Sequence, residues 1–349
     1  MLQNNLDFLN LKDALYLTWE VYCDEKKVSC GEIRDPEILN VAPRSKKEVT
    51  LPIPAPEYEG KSYVMICSHR LNGDWFCEPG FELGFDQIFF KDVPSKQLND
   101  LLAGESTDRK AVAYREDDRY VYITGEDFSY TFNKLTGVIG RIVYKNHSFL
   151  DEPMELNIWR APTDNDRVVK KEWYAAGYDC MQTRAYSNEF TTLEDGSLKI
   201  VTVSAMAPVY RQKFLDFEIT WIIKPDGTIQ VHLEVERDAV MRGQYGLYFN
   251  HPEKRLDLHG IEDRFGINEA YLPRLGLRLR LPKNMMKAQY YGYGPYESYI
   301  DKHQASWLGH FDAHVSAMHE DYIRPQENGS HYNCEYVTVA DRTHKLSVY

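Results

Sequence analysis

The stretch that most constrains the fold is an alternation of apolar and polar residues that runs forward, turns and runs back between positions 217 and 235. The turn sequence Pro225-Asp226-Gly227 separates two halves whose apolar residues recur with a period of two, as in strands with one buried face. The pattern therefore predicts an antiparallel hairpin that needs a second antiparallel sheet against its apolar face. Its apolar positions are Phe217, Ile219, Trp221 and Ile223, then Ile229, Val231, Leu233 and Val235.

Shorter alternations predict strands elsewhere, at residues 14–22, 62–71 and 120–132. Val49, Leu51 and Ile53 repeat the same period before Pro54 interrupts it, and they predict one more strand. Helix is scarce: residues 170–176 are the best candidate. Because no segment alternates strands with helices as a parallel barrel does, we predict an all-β chain.

The 349 residues exceed the usual size of one hydrophobic core, so two domains are expected. Residues 93–112 lose the apolar period and collect Pro, Ser, Asn, Asp and Gly, which is typical of a linker. We therefore predict domains at 1–92 and 113–349. Residues 244–272 are longer than ordinary connections and are interpreted as an insertion of unknown role.

Net charge limits the possible partners, and cysteine content indicates the compartment. Forty-one basic and 53 acidic side chains give a net charge of −12, which repels nucleic acid and anionic membrane surfaces, so neither is predicted as a partner. The six cysteines show no paired spacing, and free thiols in a reducing, cytoplasmic compartment are expected. No apolar run reaches membrane-spanning length, and the N-terminus carries no signal-like pattern.

Three segments join aromatic residues to Gly or Pro and to acidic or amide side chains. They are residues 158–167 (IWRAPTDNDR), 291–301 (YGYGPYESYID) and 322–329 (YIRPQENG). Proline removes a backbone donor, and Asp and Asn compete for local hydrogen bonds, so these segments are predicted to be shaped polar loops.

In this order, the three segments resemble the C-terminal domain of family 2 β-galactosidases, with its patterns W-R-A-P-x-D-N-D, W/Y-x-G-x-G-P-x-E-x-Y-x-D and Y-x-x-P-x-E-N-G. The resemblance implies an immunoglobulin-like β-sandwich over residues 1–92, with Trp75-Phe76 and residues 80–87 in its closing strands. A galactose-mutarotase-like β-supersandwich over residues 113–349 follows. It is expected to be truncated at its C-terminus and to leave unpaired strand edges.

The resemblance also implies an activity: hydrolysis of terminal β-D-galactosides such as lactose by double displacement. Both catalytic glutamates of the family lie on a (β/α)₈ barrel, and one of them follows an Asn. The pairs Asn188-Glu189 and Asn268-Glu269 lack a preceding buried parallel strand and are interpreted as coincidence. The implied partners are therefore a barrel-bearing domain or large subunit, the β-galactoside and further copies of the enzyme. Mg²⁺ and Na⁺ or K⁺ are implied for the complete enzyme and no cofactor for this segment.

We predict no catalytic residue and no metal ligand here. The three loops are instead expected to form the rim of a substrate site or a domain interface. The residues predicted for that role are Trp159, Arg160, Asp164, Asn165, Asp166, Gly292, Gly294, Pro295, Glu297, Asp301, Glu327 and Asn328.

Local chemistry gives each loop an expectation. Asp164 and Asp166 are expected to accept backbone N–H groups or to pair with Arg160. Glu327 is either a fixed hydrogen-bond acceptor or solvated, and Asn328-Gly329 signals a turn.

In the second loop, Gly292 and Gly294 are expected to allow either positive φ or a close backbone approach. Glu297 and Asp301 are expected on one side of a short helical turn.

Three other kinds of binding site are excluded because a required residue type is missing at a fixed position. An EF-hand beginning at Asp164 requires Gly at its sixth position, where Val169 stands. A phosphate-binding loop at Gly292 conflicts with Glu297 in its third glycine position. The histidines at 310, 314 and 319 lack the intervening Glu of a zinc-protease motif.

The sequence also departs from the family pattern. Lys302 and His331 stand where the family commonly has Arg, so a bidentate guanidinium contact is not expected at either position. Two alternative functions remain open: an aldose 1-epimerase, which needs an opposed His and Glu, and a carbohydrate-binding or scaffold module.

Overall fold

The computed structural model describes residues 1–96, 98, 109–209, 213–237 and 271–349. Within these ranges the chain is built of antiparallel sheets, and the predicted all-β class is confirmed. Residues 97 and 99–108 of the predicted linker, nearly all of the predicted insertion and the Asn268-Glu269 pair lie outside the described residues. The domain boundaries remain a prediction.

The N-terminal part, residues 1–91, holds a four-stranded sheet of order β3-β2-β5-β6 and a two-stranded sheet, β1-β4. A short helix, α1 (Leu11–Ala14), precedes β2. The strands are β1 (Leu2–Gln3), β2 (Leu15–Cys23), β3 (Lys26–Ile33), β4 (Lys46–Lys47), β5 (Ser62–Arg70) and β6 (Glu82–Lys91). The alternation in β2 places Leu17, Trp19 and Val21 in one core, as predicted.

Residues 49–53 do not form the predicted strand. Pro52 and Pro54 lie within and directly after this segment and remove the backbone donors that a ladder requires. Leu51 and Ile53 nevertheless pack against the core of the N-terminal part, so the period of two marked burial without strand pairing.

The prediction that Trp75 and Phe76 belong to a closing strand is wrong. Asp74 accepts hydrogen bonds from the backbone N–H groups of Phe76 and Cys77, at 2.8 and 3.1 Å, and thereby closes a turn. Trp75 and Phe76 are 99% and 94% exposed, and the strand begins only at Glu82.

The described residues of the C-terminal part (113–209, 213–237 and 271–349) form four antiparallel sheets of orders β11-β10-β9-β8-β7, β12-β17, β13-β14-β15-β16 and β19-β18-β20-β21. The first sheet contains β7 (Ala113–Glu116), β8 (Tyr120–Thr124), β9 (Phe128–Asn133), β10 (Val138–Tyr144) and β11 (His147–Ser148). The others contain β12 (Glu152–Asn157), β13 (Met181–Thr192), β14 (Leu198–Pro208), β15 (Leu215–Ile223), β16 (Ile229–Arg237), β17 (Gly276–Arg280), β18 (Lys287–Gly294), β19 (Trp307–His314), β20 (Tyr336–Ala340) and β21 (Lys345–Val348).

The predicted hairpin is confirmed as β15 and β16, which pair from Leu215↔Arg237 to Ile223↔Ile229. Gly227 adopts a φ of 91° in the turn, a conformation that glycine tolerates at low cost. Phe217, Ile219 and Trp221 are buried in the core shared by the sheets of the C-terminal part.

The predicted helix is also confirmed, as α2 (Lys170–Ala176), and Gly177 ends it with a left-handed φ of 74°. Short 3₁₀ turns lie at Asn165–Arg167, Tyr178–Cys180 and Val315–Met318. None of the helices in the described ranges is long and apolar enough to cross a membrane.

A buried aromatic cluster joins the N-terminal and C-terminal parts. Tyr63 of β5 packs in it with Tyr291, Leu308 and Tyr336. The Tyr291 hydroxyl donates to the backbone oxygen of Asp24 at 3.2 Å. The two parts therefore pack directly against each other over their described residues.

Candidate functional site

The first loop, residues 158–167, is organised around the carboxylate of Asp166, which is only 3% exposed. Arg160 donates to both carboxylate oxygens, at 2.5 and 3.1 Å. Thr163 donates from its backbone N–H at 2.7 Å and from its hydroxyl at 2.8 Å. The expected pairing with Arg160 is confirmed for Asp166 but not found for Asp164, which is held through its own backbone N–H. The four donors to Asp166 make the loop rigid.

The hydrogen bonds at Asp166 also set its protonation. Burial alone would raise the pKa of this carboxyl, but the hydrogen bonds from Arg160 and Thr163 outweigh burial and hold the pKa below its ordinary value of 3.8. Asp166 is therefore an anion near neutral pH whose charge Arg160 neutralises.

This depressed pKa predicts a pH-dependent stability. A carboxyl with a lower pKa in the folded state stabilises the fold above its unfolded pKa, and that stabilisation is lost as the pH falls through the folded value. We expect the loss of stability in Asp166→Asn, measured by urea unfolding, to be largest near pH 7 and to shrink towards about pH 3. An equal loss at both pH values would contradict this prediction.

The first and third loops are tied together by Glu327, whose side chain is 16% exposed. Its carboxylate accepts from the backbone N–H of Ala161 at 3.0 Å and from Arg274 at 2.7 Å. A second tie runs from the backbone N–H of Asp164 to the side-chain oxygen of Gln326, at 2.8 Å. Of the two alternatives for Glu327, the fixed acceptor is correct.

The second loop contacts the first through Asn165, whose amide donates to the Asp301 carboxylate at 3.0 Å. Asp301 lies in a tight turn in which Tyr299 and Lys302 exchange backbone hydrogen bonds of 2.8 and 3.1 Å. The expected helical turn is therefore wrong. Glu297 points inward, at 8% exposure, while Asp301 is exposed, so the two carboxylates do not share a face.

Glu297 joins the second loop to the third. It accepts from the ammonium of Lys302 at 2.6 Å and from the backbone N–H of Gly329 at 3.1 Å. Lys302 also contacts the Tyr322 hydroxyl. Lys302, which stands where the family commonly has Arg, thus makes a single ion pair, with Glu297. Asn328 closes its own loop by exchanging two hydrogen bonds with the backbone of Glu320, at 3.0 and 2.6 Å.

The glycines of the second loop serve close approach and do not adopt positive φ. A Cβ on Gly292 would lie 2.3 Å from the sulfur of Cys334, and one on Gly294 would lie 2.4 Å from the Tyr290 hydroxyl. Gly294 precedes Pro295 through a cis peptide bond. Of the two alternatives given for these glycines, close approach is correct.

The three loops therefore form one surface, which we call the three-loop surface: residues 158–167, 291–302 and 322–329. All three predicted segments contribute to it, but the prediction of a loop is wrong at residues 291–294, which form the end of β18, and Tyr291 is buried in the core. Trp159 lies beneath, packed edge-on against Trp173 of α2 at 6.3 Å between ring centroids. The sequence did not predict the contacts of Arg274, Gln326 and Glu320 in this network. Arg274 lies outside the three segments, Gln326 occupies a variable position of the third, and Glu320 takes part through its backbone.

A cavity of about 440 Å³ opens beside this surface. Its lining residues are Tyr296, Glu297, Lys302, His303, Gln304, Ala305, Ser306, Glu320 and Tyr322. The volume suits a small ligand. A carboxylate and an imidazole face this cavity, but Glu297 is already neutralised by Lys302, and Nδ1 of His303 is hydrogen-bonded to the backbone oxygen of Tyr299 at 2.9 Å.

The departure at His331 has a structural counterpart. Its Nδ1 lies 3.2 Å from the backbone oxygen of Tyr293, and its ring packs on Tyr290 at 4.3 Å between centroids. Burial lowers the pKa of His331, which favours the neutral imidazole. A cationic arginine-like role is therefore not available here at neutral pH.

The three-loop surface does not fit a Mg²⁺ site, although it is rich in acids. Both oxygens of Asp166 are occupied by Arg160 and Thr163, and Asn165 is bound to Asp301. Ion pairs therefore neutralise Asp166, Glu297 and Glu327 within the described residues.

The described residues define a two-part, all-β chain of antiparallel sheets whose three polar segments meet at one surface. Comparison with known proteins agrees with this class. A family model described as "Beta galactosidase small chain" matches residues 124–349, and one described as "Beta-galactosidase, domain 4" matches residues 1–91. The chain belongs to the β-galactosidase family and corresponds to the C-terminal part of such an enzyme.

Individual relatives cover nearly all of this chain. It is 32% identical to a β-galactosidase of Actinobacillus pleuropneumoniae over 97% of its length and 28% identical to one of Staphylococcus xylosus over 100%. A β-galactosidase of Streptococcus thermophilus is 23% identical over 98%. The matched regions are 30%, 31% and 29% of those relatives, so the chain spans about a third of their length.

Proposed function

We propose that this chain is the non-catalytic C-terminal portion of a β-galactosidase that hydrolyses terminal β-D-galactosides such as lactose. The observation that carries the proposal is the joining of the three family-like loops into one rigid surface, on a chain that spans about 30% of its relatives. The remaining part of such an enzyme supplies the two carboxyl groups that retaining hydrolysis requires about 5 Å apart.

In this proposal the three-loop surface braces the barrel-bearing segment. Its buried polar groups are satisfied internally, so docking does not leave buried charges unpaired. Three apolar side chains on its second and third loops are exposed: Tyr296 at 58%, Ile300 at 73% and Ile323 at 106%. In the proposal, these three side chains are the apolar contacts that the barrel-bearing segment covers.

The chemistry stays with the partner segment. The resemblance places Mg²⁺ and Na⁺ or K⁺ there, and the buried carboxylates of the three-loop surface are already paired within it. The role of this chain is positional: Arg160, Asp166 and Glu327 hold the loop backbone at fixed positions, so that the partner meets a surface of constant shape.

That the substrate is a β-galactoside and that the enzyme is a homo-oligomer are proposed from the resemblance alone. A cytoplasmic location is supported by six free thiols.

Complementation tests this function. The chain alone is expected to leave nitrophenyl β-galactoside unhydrolysed, and mixing it with the Actinobacillus pleuropneumoniae relative, truncated before the matched region, is expected to restore hydrolysis. Ile323→Asp places a charge in the proposed interface and is expected to raise the concentration needed for half-maximal rate at least about tenfold, in the range of an interface hot spot.

The matched control is Val28→Asp on β3, a strand of the N-terminal sheet, where the side chain is 53% exposed. It is expected to leave complementation unchanged. The absence of any gain in rate at every mixing ratio contradicts the proposed function. A gain that Ile323→Asp and Val28→Asp reduce equally contradicts the docking role of the three-loop surface.

The aldose 1-epimerase alternative has one supporting observation, the shared lining of the 440 Å³ cavity by Glu297 and His303. The ion pair of Glu297 with Lys302 opposes a role as base. Polarimetry on freshly dissolved α-galactose distinguishes the two functions, because an epimerase accelerates the decay of optical rotation without a partner. A scaffold that only binds sugar is tested by calorimetry with galactose and lactose.

A further inference from the structure

A cluster of two histidines and an aspartate lies in the C-terminal part, on elements that the three-loop surface does not use. Within the described residues, His147, Asp341 and His344 are the group whose potential ligand atoms all lie within 4.8 Å of one another. His147 belongs to β11, and the other two residues flank the turn between β20 and β21. The cluster therefore bridges two different sheets.

The Asp341 carboxylate is held in place by hydrogen bonds from neighbouring residues. One carboxylate oxygen accepts from the backbone N–H groups of Thr343 and His344, at 2.7 and 2.6 Å. The other accepts from the Asn284 amide at 2.8 Å and lies 3.6 Å from Nδ1 of His344. These hydrogen bonds fix the position of the Asp341 carboxylate.

His147 has a polar atom that the fold leaves unsatisfied. Its Nε2 is buried and has no hydrogen-bond partner in the described part of the chain. Buried polar atoms without a partner are rare and ask for an explanation such as an ion. His147 and His344 stack with 3.8 Å between ring centroids and 11° between planes, and Phe149 packs edge-on against His147 at 4.8 Å.

We propose that His147, Asp341 and His344 bind one divalent transition-metal ion, with zinc as the best match. Two imidazoles and one carboxylate are a ligand set that zinc uses with a fourth position open to water. The Asn284 amide, which orients Asp341, supplies the outer contact that such ligands commonly have. The ion ties the β20–β21 turn to β11 and has no part in glycoside hydrolysis.

Binding requires a defined movement. The lone pair of a ring nitrogen lies in the ring plane, so two imidazoles stacked face to face cannot both point at one ion. One ring has to turn about its Cβ–Cγ bond, and the ligand atoms have to close to the roughly 3.4 Å that separates neighbouring ligands of tetrahedral zinc. Nδ1 of His344 is hydrogen-bonded to the Thr343 hydroxyl at 2.8 Å, whereas the buried Nε2 of His147 has no partner in the described residues, so we assign the turn to His147.

Calorimetry and thermal unfolding of the full chain test the site. We expect one Zn²⁺ per chain and a midpoint temperature that rises with Zn²⁺ concentration. His147→Phe keeps an aromatic ring against Phe149 and removes the unsatisfied nitrogen. We expect its midpoint temperature without metal to equal or exceed that of the unchanged chain, and its affinity for Zn²⁺ to fall at least tenfold. His344→Ala should weaken Zn²⁺ binding to a similar extent.

His314→Ala is the matched control, because His314 is an exposed histidine at the end of β19. It is expected to bind Zn²⁺ as the unchanged chain does. Co²⁺ distinguishes this site from the six thiols, since histidine and carboxylate ligands give visible bands without thiolate charge transfer. Zn²⁺ binding that survives His147→Phe and His344→Ala, a thiolate signature, or no binding at all overturns the proposal.

Discussion

Replacing Gly292 with alanine is expected to lower the free energy of unfolding by about 3 kcal/mol, at the upper end for overpacking in a closely packed interior. The new Cβ would lie 2.3 Å from the sulfur, 2.9 Å from the Cα and 3.1 Å from the Cβ of Cys334. Since one of these atoms is backbone, the clash cannot be relieved by a side-chain rotation alone. Urea unfolding monitored by circular dichroism measures the change.

A matched control comes from another strand. Gly84 in β6 has no heavy atom within 4 Å of the position that a Cβ would occupy, and its φ is not positive. Gly84→Ala is therefore expected to be neutral or to stabilise the fold by up to about 1 kcal/mol, because it restricts the unfolded chain. Cys334→Ala should rescue Gly292→Ala only in part. An unchanged urea midpoint for Gly292→Ala would show that the β18 backbone moves aside freely.

The second large effect is expected at Arg160. Arg160→Met leaves the Asp166 carboxylate buried without its cation, and breaking a buried ion pair on one side costs about 3–5 kcal/mol. Asp166 and Arg160 have side chains only 4% and 13% exposed, so water replaces the lost contact poorly. The free energy of unfolding at neutral pH is the quantity to measure.

The exposed pair Arg44–Asp7, with side chains 66% and 55% exposed, serves as the control. Arg44→Met is expected to cost at most about 1 kcal/mol, as is usual for solvated ion pairs. Combining Arg160→Met with Asp166→Asn removes the unpaired charge while keeping an acceptor for Thr163. The combined variant should be more stable than Arg160→Met alone, and a further loss would refute the unpaired charge as the cause.

Local patterns predicted the regular elements well where one physical cause dominated. The period of two in β15 and β16 reflects burial of one face, and the Pro225-Asp226-Gly227 turn fixed their register. The same period misled at residues 49–53, because burial and strand pairing are separate requirements and the prolines block only the second. At Trp75 the aromatic residue favoured a strand, whereas Asp74 closed a turn around it.

The site was predictable as a set of loops but not as a network. The hydrogen bond from Ala161 to Glu327 spans 166 positions, and that from Asn165 to Asp301 spans 136. Periodicity assigns a residue to a face of its own strand and says nothing about which distant loop lies opposite. Lys302 illustrates the limit: its charge was evident from the sequence, but its partner Glu297 became evident only from the turn between Tyr299 and Lys302.

Gln87 gives the junction between the two parts a consequence for self-association. Its side-chain amide donates to the carbonyl of Leu308 at 2.8 Å and accepts from the N–H of the same residue at 2.9 Å, thereby imitating a neighbouring strand along the border of β19. If the two parts separate, the edge of β19 is exposed and can pair with a strand of another molecule. The contact between the N-terminal and C-terminal parts therefore protects the protein from aggregation.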